Sequence, residues 1–311
     1  MKYKILEILK TNGGYVSGEA ISRELGITRS AVWKNINSLR KAGYKINSVT
    51  GKGYILEDGQ DKLSPAQLQE CVPGRLYFFS TAESTNNEAK KRKDTPDKSL
   101  FIAETQTAGK GRLGRTWASR GNGIWMSIYL KPNIPPCDIA QLTLIAGIAV
   151  SRVIKNSKIK WPNDIILNDR KVCGILTEMT AEADRITSVI IGIGINVNTE
   201  TFGIDLVRKA TSIYLETGEK QDRNKLVRDI MAEFWDIYGE FEKNGFINLK
   251  REYARRCVTL NRDVLLIKNG EEIPAYALDI NDRGELIAEA GGKRITVNSG
   301  EVSVRGLLGY N

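Results

Sequence analysis

Residues 105 to 117 read TQTAGKGRLGRTW, with three glycines (Gly109, Gly111, Gly114) interleaved with three cations (Lys110, Arg112, Arg115). Glycine weakens a helix by about 1 kcal/mol relative to alanine and leaves a strand with nothing to pack, so this stretch has to be a loop. Its flanks fix the kind of loop. SLFIAETQ before it and GIWMSIYLKP after it both alternate as strands, and TWASRGN between them has no helical repeat. The glycines satisfy G-x-G-x-x-G, but a dinucleotide fingerprint needs a helix after the loop. A P-loop needs a lysine, at a set interval from glycine, that is followed by Ser or Thr, and no lysine here meets that pattern. What remains is a basic glycine loop between two strands. Its N–H groups can approach an anion closely, and its arginines can bind phosphate through two parallel hydrogen bonds. A solvated basic turn or a nucleic-acid loop would share this composition, and the loop alone does not separate them.

The chain contains no histidine. That removes histidine triads, histidine acid–base catalysis and histidine-held metals, and leaves positioning and electrostatic stabilisation as the means of catalysis. Cys71, Cys137, Cys173 and Cys257 lie far apart, with no C-x-x-C pair for zinc or redox work. The 311 residues allow two or three domains, and a composition of 41% hydrophobic and 27% charged residues is that of a globular protein. No run approaches the roughly 18 apolar residues of a membrane span, and MKYKILEILKTNGG is too charged for a signal peptide. The expectation is a cytoplasmic protein with no membrane partner.

Charge is unevenly spread. Residues 1–56 hold ten Lys or Arg against three Glu, +7 of the total of +9. A small basic domain joined to a nearly neutral larger one is how a nucleic-acid-binding module looks in charge. The patterning agrees. Ile5, Leu6, Ile8 and Leu9 predict a helix ending at Asn12-Gly13-Gly14. Ser17 can cap a second helix, with Ala20, Ile21 and Leu25 facing inward, that ends at Gly26. Thr28 can cap a third, with Val32, Ile36 and Leu39 on its apolar stripe. A tight turn between the last two makes a helix-turn-helix. Thr28, Arg29, Ser30, Lys34 and Asn37 are the candidate DNA contacts, and Trp33 reads as a packing residue. After Gly43, YKINSVTGKGYILED predicts a two-stranded wing.

Residues 57–70 read as a polar linker, with the boundary near Asp61. The large domain opens with the strand RLYFFS and then Ser84, Thr85 and Asn86 at a strand-to-helix junction, where capping alone could explain them. Gln106 enters the glycine loop directly from a strand. CDIAQLTLIAGIAVSRVIKN predicts a buried helix, followed by three strand-like segments, KIKWPNDIILN, KVCGILTEM and SVIIGIGINVN. A turn at Asn168-Asp169-Arg170 places Lys171 just beyond it. Gly192 and Gly194 clear one strand face, for a bulge or for a flat floor beneath a ligand. Residues 222–244 predict a core helix carrying Leu226, Ile230, Phe234, Ile237 and Phe241, and the short strands after Val258 predict an SH3-like β-barrel.

ESTN, QTAGKGRLGRTW, KWPND, RKVCGILTE and GIGINVN, in this order and spacing, closely resemble the motifs of bacterial biotin–protein ligases. TRSAVWKNINSLR resembles the winged helix-turn-helix of the bifunctional subgroup, the biotin operon repressors. The resemblance covers nearly the whole chain. It implies an α+β protein with a winged helix-turn-helix at residues 1–60, a mixed-sheet catalytic domain of the biotin/lipoate ligase kind at 61–250, and an SH3-like domain at 251–311. The activity implied is attack of biotin's carboxylate on the α-phosphate of ATP, brought with Mg²⁺, to give biotinyl-5′-adenylate. A lysine of the biotin carboxyl carrier protein of acetyl-CoA carboxylase then takes the biotinyl group.

Carried over by motif, Ser84, Thr85, Asn86 and Gln106 would hold the ureido ring, with Lys110 and Gly111 close to biotin. Arg112 and Arg115 would bind phosphate and close the loop. Lys171 would stabilise the reacting carboxyl and phosphate oxygens. Asn163, Asp164, Asn196 and Arg305 would form the nucleotide side, with Mg²⁺ near Asp164. An adenylate-bound homodimer would grip an operator of biotin genes. Lys110 and Leu113 stand where the pattern has arginine, and Val297 where it has tryptophan. Two other readings are a ligase for lipoate or another acyl group, which would not share the GKGRLGR loop, and a ligand-sensing transcription factor without catalysis, which would not need Lys171, Arg112 and Asp164 together.

Overall fold

Helix caps set the first elements. Helix α1 (Lys2–Asn12) ends where Gly13 turns to φ 59°, and α2 (Gly18–Leu25) where Gly26 turns to φ 63°, left-handed positions that favour glycine. The Ser17 hydroxyl accepts from Ala20 N at 3.0 Å to open α2, and the Thr28 hydroxyl accepts from Ala31 N at 3.2 Å to open α3 (Arg29–Lys41). Strands β1 (Ile46–Val49) and β2 (Gly53–Leu56) form the antiparallel wing. Ile5, Leu9, Ile21, Val32, Ile36 and Leu39 close the core of this unit. Two expectations are corrected. Ala20 is exposed and Leu25 only half-buried, so α2 meets the core mainly through Ile21. Trp33 does not pack: it is 57% exposed on α3, about a quarter-turn off the apolar stripe of Val32, Ile36 and Leu39.

The computed structural model describes residues 1–41, 44–57, 62–182, 185–268, 271–299 and 303–306. It divides into two units, Met1–Gln67 and Leu68–Asn311. Asp61 lies outside the described residues. The stretch read as a linker with a possible helical turn carries that turn as α4 (Pro65–Leu68), and it buries Leu63, Ser64, Gln67 and Leu68.

In the second unit the elements run β3 (Leu76–Phe79), α5 (Thr85–Lys91), β4 (Ser99–Ala103), β5 (Ile124–Leu130), α6 (Ile139–Val153), β6 (Lys158–Lys160), β7 (Asp164–Leu167), β8 (Arg170–Glu182) and β9 (Arg185–Ile195). Then come α7 (Ile213–Thr217), α8 (Arg223–Asn244), α9 (Ile247–Arg256) and strands β10 (Arg262–Lys268), β11 (Glu271–Ile280), β12 (Leu286–Ala290), β13 (Lys293–Val297) and β14 (Ser303–Gly306). Seven strands form a mixed sheet in the order β3-β4-β5-β9-β8-β7-β6, in which only β3 and β4 run parallel. KIKWPNDIILN is therefore two strands, β6 and β7, paired antiparallel with Trp161-Pro162, a cis peptide, in the turn between them. Asn168 and Asp169, at φ 46° and 61°, make the two-residue turn into β8 as expected.

Register assigns the faces. Ser127 pairs with Gly192, Gly192 with Leu176, and Gly194 with Gly174, so these positions share one face of the sheet, the one that carries α5. Thr177, on the opposite face, bonds Thr143 of α6 at 2.7 Å. Helix α6 is almost wholly buried, with α8 packed on it. Pro136–Val153 is, among the described residues, the one helical stretch long and apolar enough to cross a membrane, but 61% of it is buried inside the fold, as expected of a core helix. In α8, Ile230, Phe234, Ile237 and Phe241 are buried as expected, with Val227 and Met231 beside them, while Leu226 is only half-buried. The last five strands form an antiparallel sheet in the order β13-β12-β11-β10-β14. It is pinned beside the KWPND turn: the Thr259 hydroxyl accepts from Trp161 N at 2.9 Å, and Trp161 Nε1 donates to Gly284 O at 3.0 Å. Val297 is a buried core residue of this sheet.

Candidate active site

Two adjoining cavities open on the α5 face. The inner, about 50 Å³, is lined by Ser84, Thr85, Asn86, Gln106 and Lys110 toward one end and by the glycine floor of β8 and β9 beneath. The outer, about 620 Å³ and within the range of small-molecule sites, runs past Asp164, Asn196, Leu206 and Val304. Gly111, Arg112, Trp117, Asn163 and Lys171 line both cavities and so form the junction between them.

The floor answers the question that Gly192 and Gly194 posed. Pairing of β9 with β5 continues without a shift through both residues, so neither marks a bulge. A methyl group at Gly192 would collide with the Asn86 amide, and one at Gly194 or Gly174 with the Trp117 indole. The glycines make seats for two side chains. Gly174 and Trp117 were not among the expected site residues. The alternation of GIWMSIYL places a serine at a buried position, a signal that could have found Ser127 as well.

At the closed end polar groups are interlocked. Gln106 Oε1 accepts from Thr85 N at 2.8 Å and from the Thr85 hydroxyl at 3.2 Å, while Gln106 Nε2 donates to Ser119 Oγ at 2.7 Å. Ser127 Oγ donates to Asn86 Oδ1 at 2.5 Å, and Asn86 Nδ2 donates to Glu178 Oε2 at 2.7 Å. Ser84 holds the N-cap position of α5, but its hydroxyl makes no capping bond. Capping therefore does not account for this serine, which stands buried in the cavity wall.

At the junction, Lys171 Nζ lies 2.6 Å from Asp164 Oδ1 and 5.0 Å from the centroid of the Trp117 ring. The pairing of β7 with β8 slips between Ile165 and Ile166, opposite Cys173 and Lys171. This bulge sets two residues of β8 against one of β7, so Lys171 and Gly174, three apart, share a face and the ammonium reaches the floor. Arg112 Nη1 donates to Asn163 Oδ1 at 2.8 Å, and the same guanidinium donates to the Ser299 carbonyl, while Asn163 Nδ2 donates to Ile175 O at 3.0 Å. The glycine loop is thereby tied to β8 and to the C-terminal sheet. Burial, with the Arg115 charge adding to it and Asp164 opposing, pulls the Arg112 guanidinium below its ordinary value. That is the cost of holding a cation in a partly dry site.

The remaining expected residues divide. Lys110 lines the inner cavity and donates to Asn87 Oδ1 at 3.0 Å. Arg115 is exposed and borders only the outer cavity, so the two loop arginines are not equivalent. Asn196 is buried in the outer wall, with Nδ2 donating to Thr211 O at 3.0 Å. Arg305 lies on β14, and its side chain is outside the described residues. Asp164, expected beside Mg²⁺, is engaged by Lys171. Among the described residues no cluster of three or more His, Cys, Asp or Glu could hold a metal ion.

On α3, Thr28, Arg29, Ser30 and Lys34 are exposed and Asn37 is half-buried, all off the apolar stripe. Arg29 is already ion-paired with Glu19, and Asn37 Oδ1 accepts from Arg40 Nη1 at 3.3 Å. Arg29 therefore needs to exchange a partner to meet DNA, Asn37 keeps its amide NH₂ for a contact, and Trp33 stands exposed among them.

Three families match along the chain: an HTH domain at residues 2–55, the biotin/lipoate A/B protein ligase family at 77–196, and the biotin protein ligase C-terminal domain at 259–305. The bifunctional ligase/repressor BirA of Bacillus subtilis is 38% identical over 305 residues, 93% of this chain and 94% of that protein. BirA of Escherichia coli is 31% identical over 97% and 96%. The biotin protein ligase of Aquifex aeolicus, solved in complex with biotin and ATP, superimposes with a TM-score of 0.67 at 26% identity, covering 75% of this chain and 99% of that one. With the winged helix-turn-helix, the mixed sheet and the C-terminal antiparallel sheet all matched in order, the chain belongs to the bifunctional ligase/repressor family of biotin protein ligases.

Proposed function

We propose that this protein activates biotin with ATP and transfers it to a lysine of a biotin carboxyl carrier protein, and that the same adenylate governs its binding to an operator. The observation that carries the reading is the junction. A bond between two ligands has to form where their sites meet, and Lys171, Arg112 and Asn163 line both cavities there. Biotin's ureido ring is assigned to the polar end at Ser84, Thr85, Asn86 and Gln106. Its chain runs over the glycine floor toward Lys171. ATP takes the outer cavity, with Asn196 and Arg305 on its nucleoside side and Mg²⁺ arriving as part of the substrate.

In the first step a biotin carboxylate oxygen attacks the α-phosphorus and pyrophosphate leaves with the bonding pair. Two anions are brought together, so the barrier is largely one of charge. Lys171 and Arg112 are the cations at that point, and their contacts to Asp164 and Asn163 hold them oriented before the reaction. In the second step an acceptor lysine amine attacks the acyl carbon and AMP leaves. Trp117 above the floor, and the loop tied down by Arg112, keep water from the mixed anhydride in the interval.

The proposed division is residues 1–60 for DNA, 61–250 for catalysis and 251–311 for the C-terminal domain. Thr28, Arg29, Ser30, Lys34 and Asn37 face the operator, and the excess positive charge of the first 56 residues supports this. The adenylate-bound form acts as a homodimer that reads two half-sites. The test is biotin-dependent exchange of labelled pyrophosphate into ATP, run beside lipoate. It is paired with a gel shift on a biotin-gene promoter at fixed salt, with and without biotin plus ATP. Exchange driven by lipoate and not by biotin would overturn the substrate assignment, and equal DNA affinity under both conditions would overturn the coupling.

A further inference from the structure

An asparagine amide is nearly isosteric end for end, but one end accepts hydrogen bonds and the other donates them. Its surroundings decide which end a ligand meets. Around Asn86 three groups have no freedom of role. The Leu176 carbonyl, 3.4 Å from Nδ2, can only accept, and so can an ionised Glu178, whose Oε2 lies 2.7 Å from the same nitrogen. Burial pushes the Glu178 carboxyl up, but hydrogen bonds from Lys90 and Asn86, together with the charges of Lys90 and Lys110, more than offset this and hold it below its ordinary value. Lys90 Nζ sits 2.6 Å from Oε1, the carboxylate oxygen that Asn86 does not use. Both acceptors call for the amide nitrogen. Oδ1 is thus directed to Ser127 and to the Gly192 floor of the inner cavity, with a second lone pair left to accept.

We propose that Glu178, braced by Lys90, is a positioning residue that fixes the Asn86 amide oxygen toward the cavity, so that the site selects a ligand N–H there and rejects a ligand acceptor. A ureido ring supplies such an N–H, so the inference rests on the assignment of the inner cavity to biotin. It adds a determinant that touches no ligand: an acceptor-only carboxylate behind the reading residue.

The test is Glu178→Gln. The amide that replaces the carboxylate can turn its own NH₂ toward Asn86 Oδ1, so the reversed Asn86 amide, opposed only by the more distant Leu176 carbonyl, becomes populated and offers a donor to the ligand's N–H. One buried group facing its like costs the biotin KM, and the Kd of biotin without ATP, at least about tenfold. The KM for ATP, and kcat at saturating biotin, stay within about threefold. Loss of fold or of bulk packing would not give that split. Asn86→Asp alone sets two carboxylates against each other and also weakens biotin. Asn86→Asp with Glu178→Gln reverses the internal hydrogen bond yet keeps an acceptor facing the cavity, so the double variant binds biotin more tightly than either single one. Should Glu178→Gln not fold, Glu178→Asp keeps the charge but withdraws it by one methylene, and the same split is expected. A biotin KM within twofold of the parent in either folded variant, or a double variant no better than the singles, overturns the inference. A parent that uses lipoate and not biotin overturns the site assignment instead.

Discussion

Replacement of Lys171 by methionine separates what this residue does in the reaction from what it does for the fold. Methionine keeps most of the stem and removes the charge. Lys171 lies at the junction of the two cavities, and Asp164 orients it at 2.6 Å. A preorganised donor aimed at charge developing in the transition state contributes about 3–4 kcal/mol, so adenylate formation should slow by roughly 10²–10³. The substitution also strands Asp164. The pair is mostly buried, with side chains 25% and 19% exposed. Breaking a fully buried pair costs about 3–5 kcal/mol, so about 1–3 kcal/mol of stability is expected here. A protein stable by about 5–15 kcal/mol remains folded after such a loss, so the rate per molecule reports chemistry. Asp164→Asn in the same chain removes the stranded charge. It should return the melting temperature toward the parent without returning the rate. Single-turnover formation of labelled biotinyl-adenylate from ATP, with calorimetric biotin affinity alongside, measures both quantities. A variant within threefold of the parent rate would refute the role. A rate restored by Asp164→Asn would show that Lys171 acts only by masking a carboxylate.

Gly194→Ala places a methyl group where the Trp117 indole sits. Overpacking of this kind costs about 1–3 kcal/mol of stability, and the displaced indole crowds the inner cavity that it lines, so biotin should bind at least about tenfold more weakly by calorimetry. Gly203→Ala, with nothing within 4 Å of the added methyl, should bind as the parent does, and equal affinity in both variants would mean that the indole is not seated on this floor. The four cysteines should react with iodoacetamide in a set order followed by mass spectrometry. Exposed Cys137 labels first. Cys71, whose thiol burial pushes up to about 11, labels about tenfold faster per pH unit below that value, because only the thiolate reacts. Buried Cys173 and Cys257, their thiols also pushed up by burial, should stay unlabelled until the protein unfolds, and early labelling of either would contradict their burial.

The division of labour along the chain was legible because it was written in local signals. Ser17, Gly13 and Gly26 bound the first helices by capping chemistry, and Asn168-Asp169 turns β7 into β8 by tolerating left-handed backbone. The charge split marks the basic unit without reference to any contact. Trp33 shows where this kind of reading fails. Bulk and apolarity place a tryptophan inside, but helical phase sets this one about a quarter-turn off the stripe of Val32, Ile36 and Leu39, and phase is the stronger constraint.

The site was legible only in part, because its logic is carried by pairing between distant strands. Gly192 and Gly194 announce a cleared face, but what fills it comes from residues 86 and 117. Gly174 joins that face only because β8 and β9 align Gly174 with Gly194. Lys171 reaches the cavity because of a bulge opposite Ile165 and Ile166, which no residue type in RKVCGILTE signals. Arg223 makes the same point from the opposite direction. At the start of an amphipathic helix an arginine reads as solvent-facing, yet it is 1% exposed, 2.9 Å from Glu104 and from the Gly123 carbonyl. Those two residues stand at the entry and the exit of the segment that carries the glycine loop. A buried cation so placed anchors both ends of the loop that Arg112 closes from its middle. The freedom that the glycines give the loop is thereby confined to the residues between these two anchors.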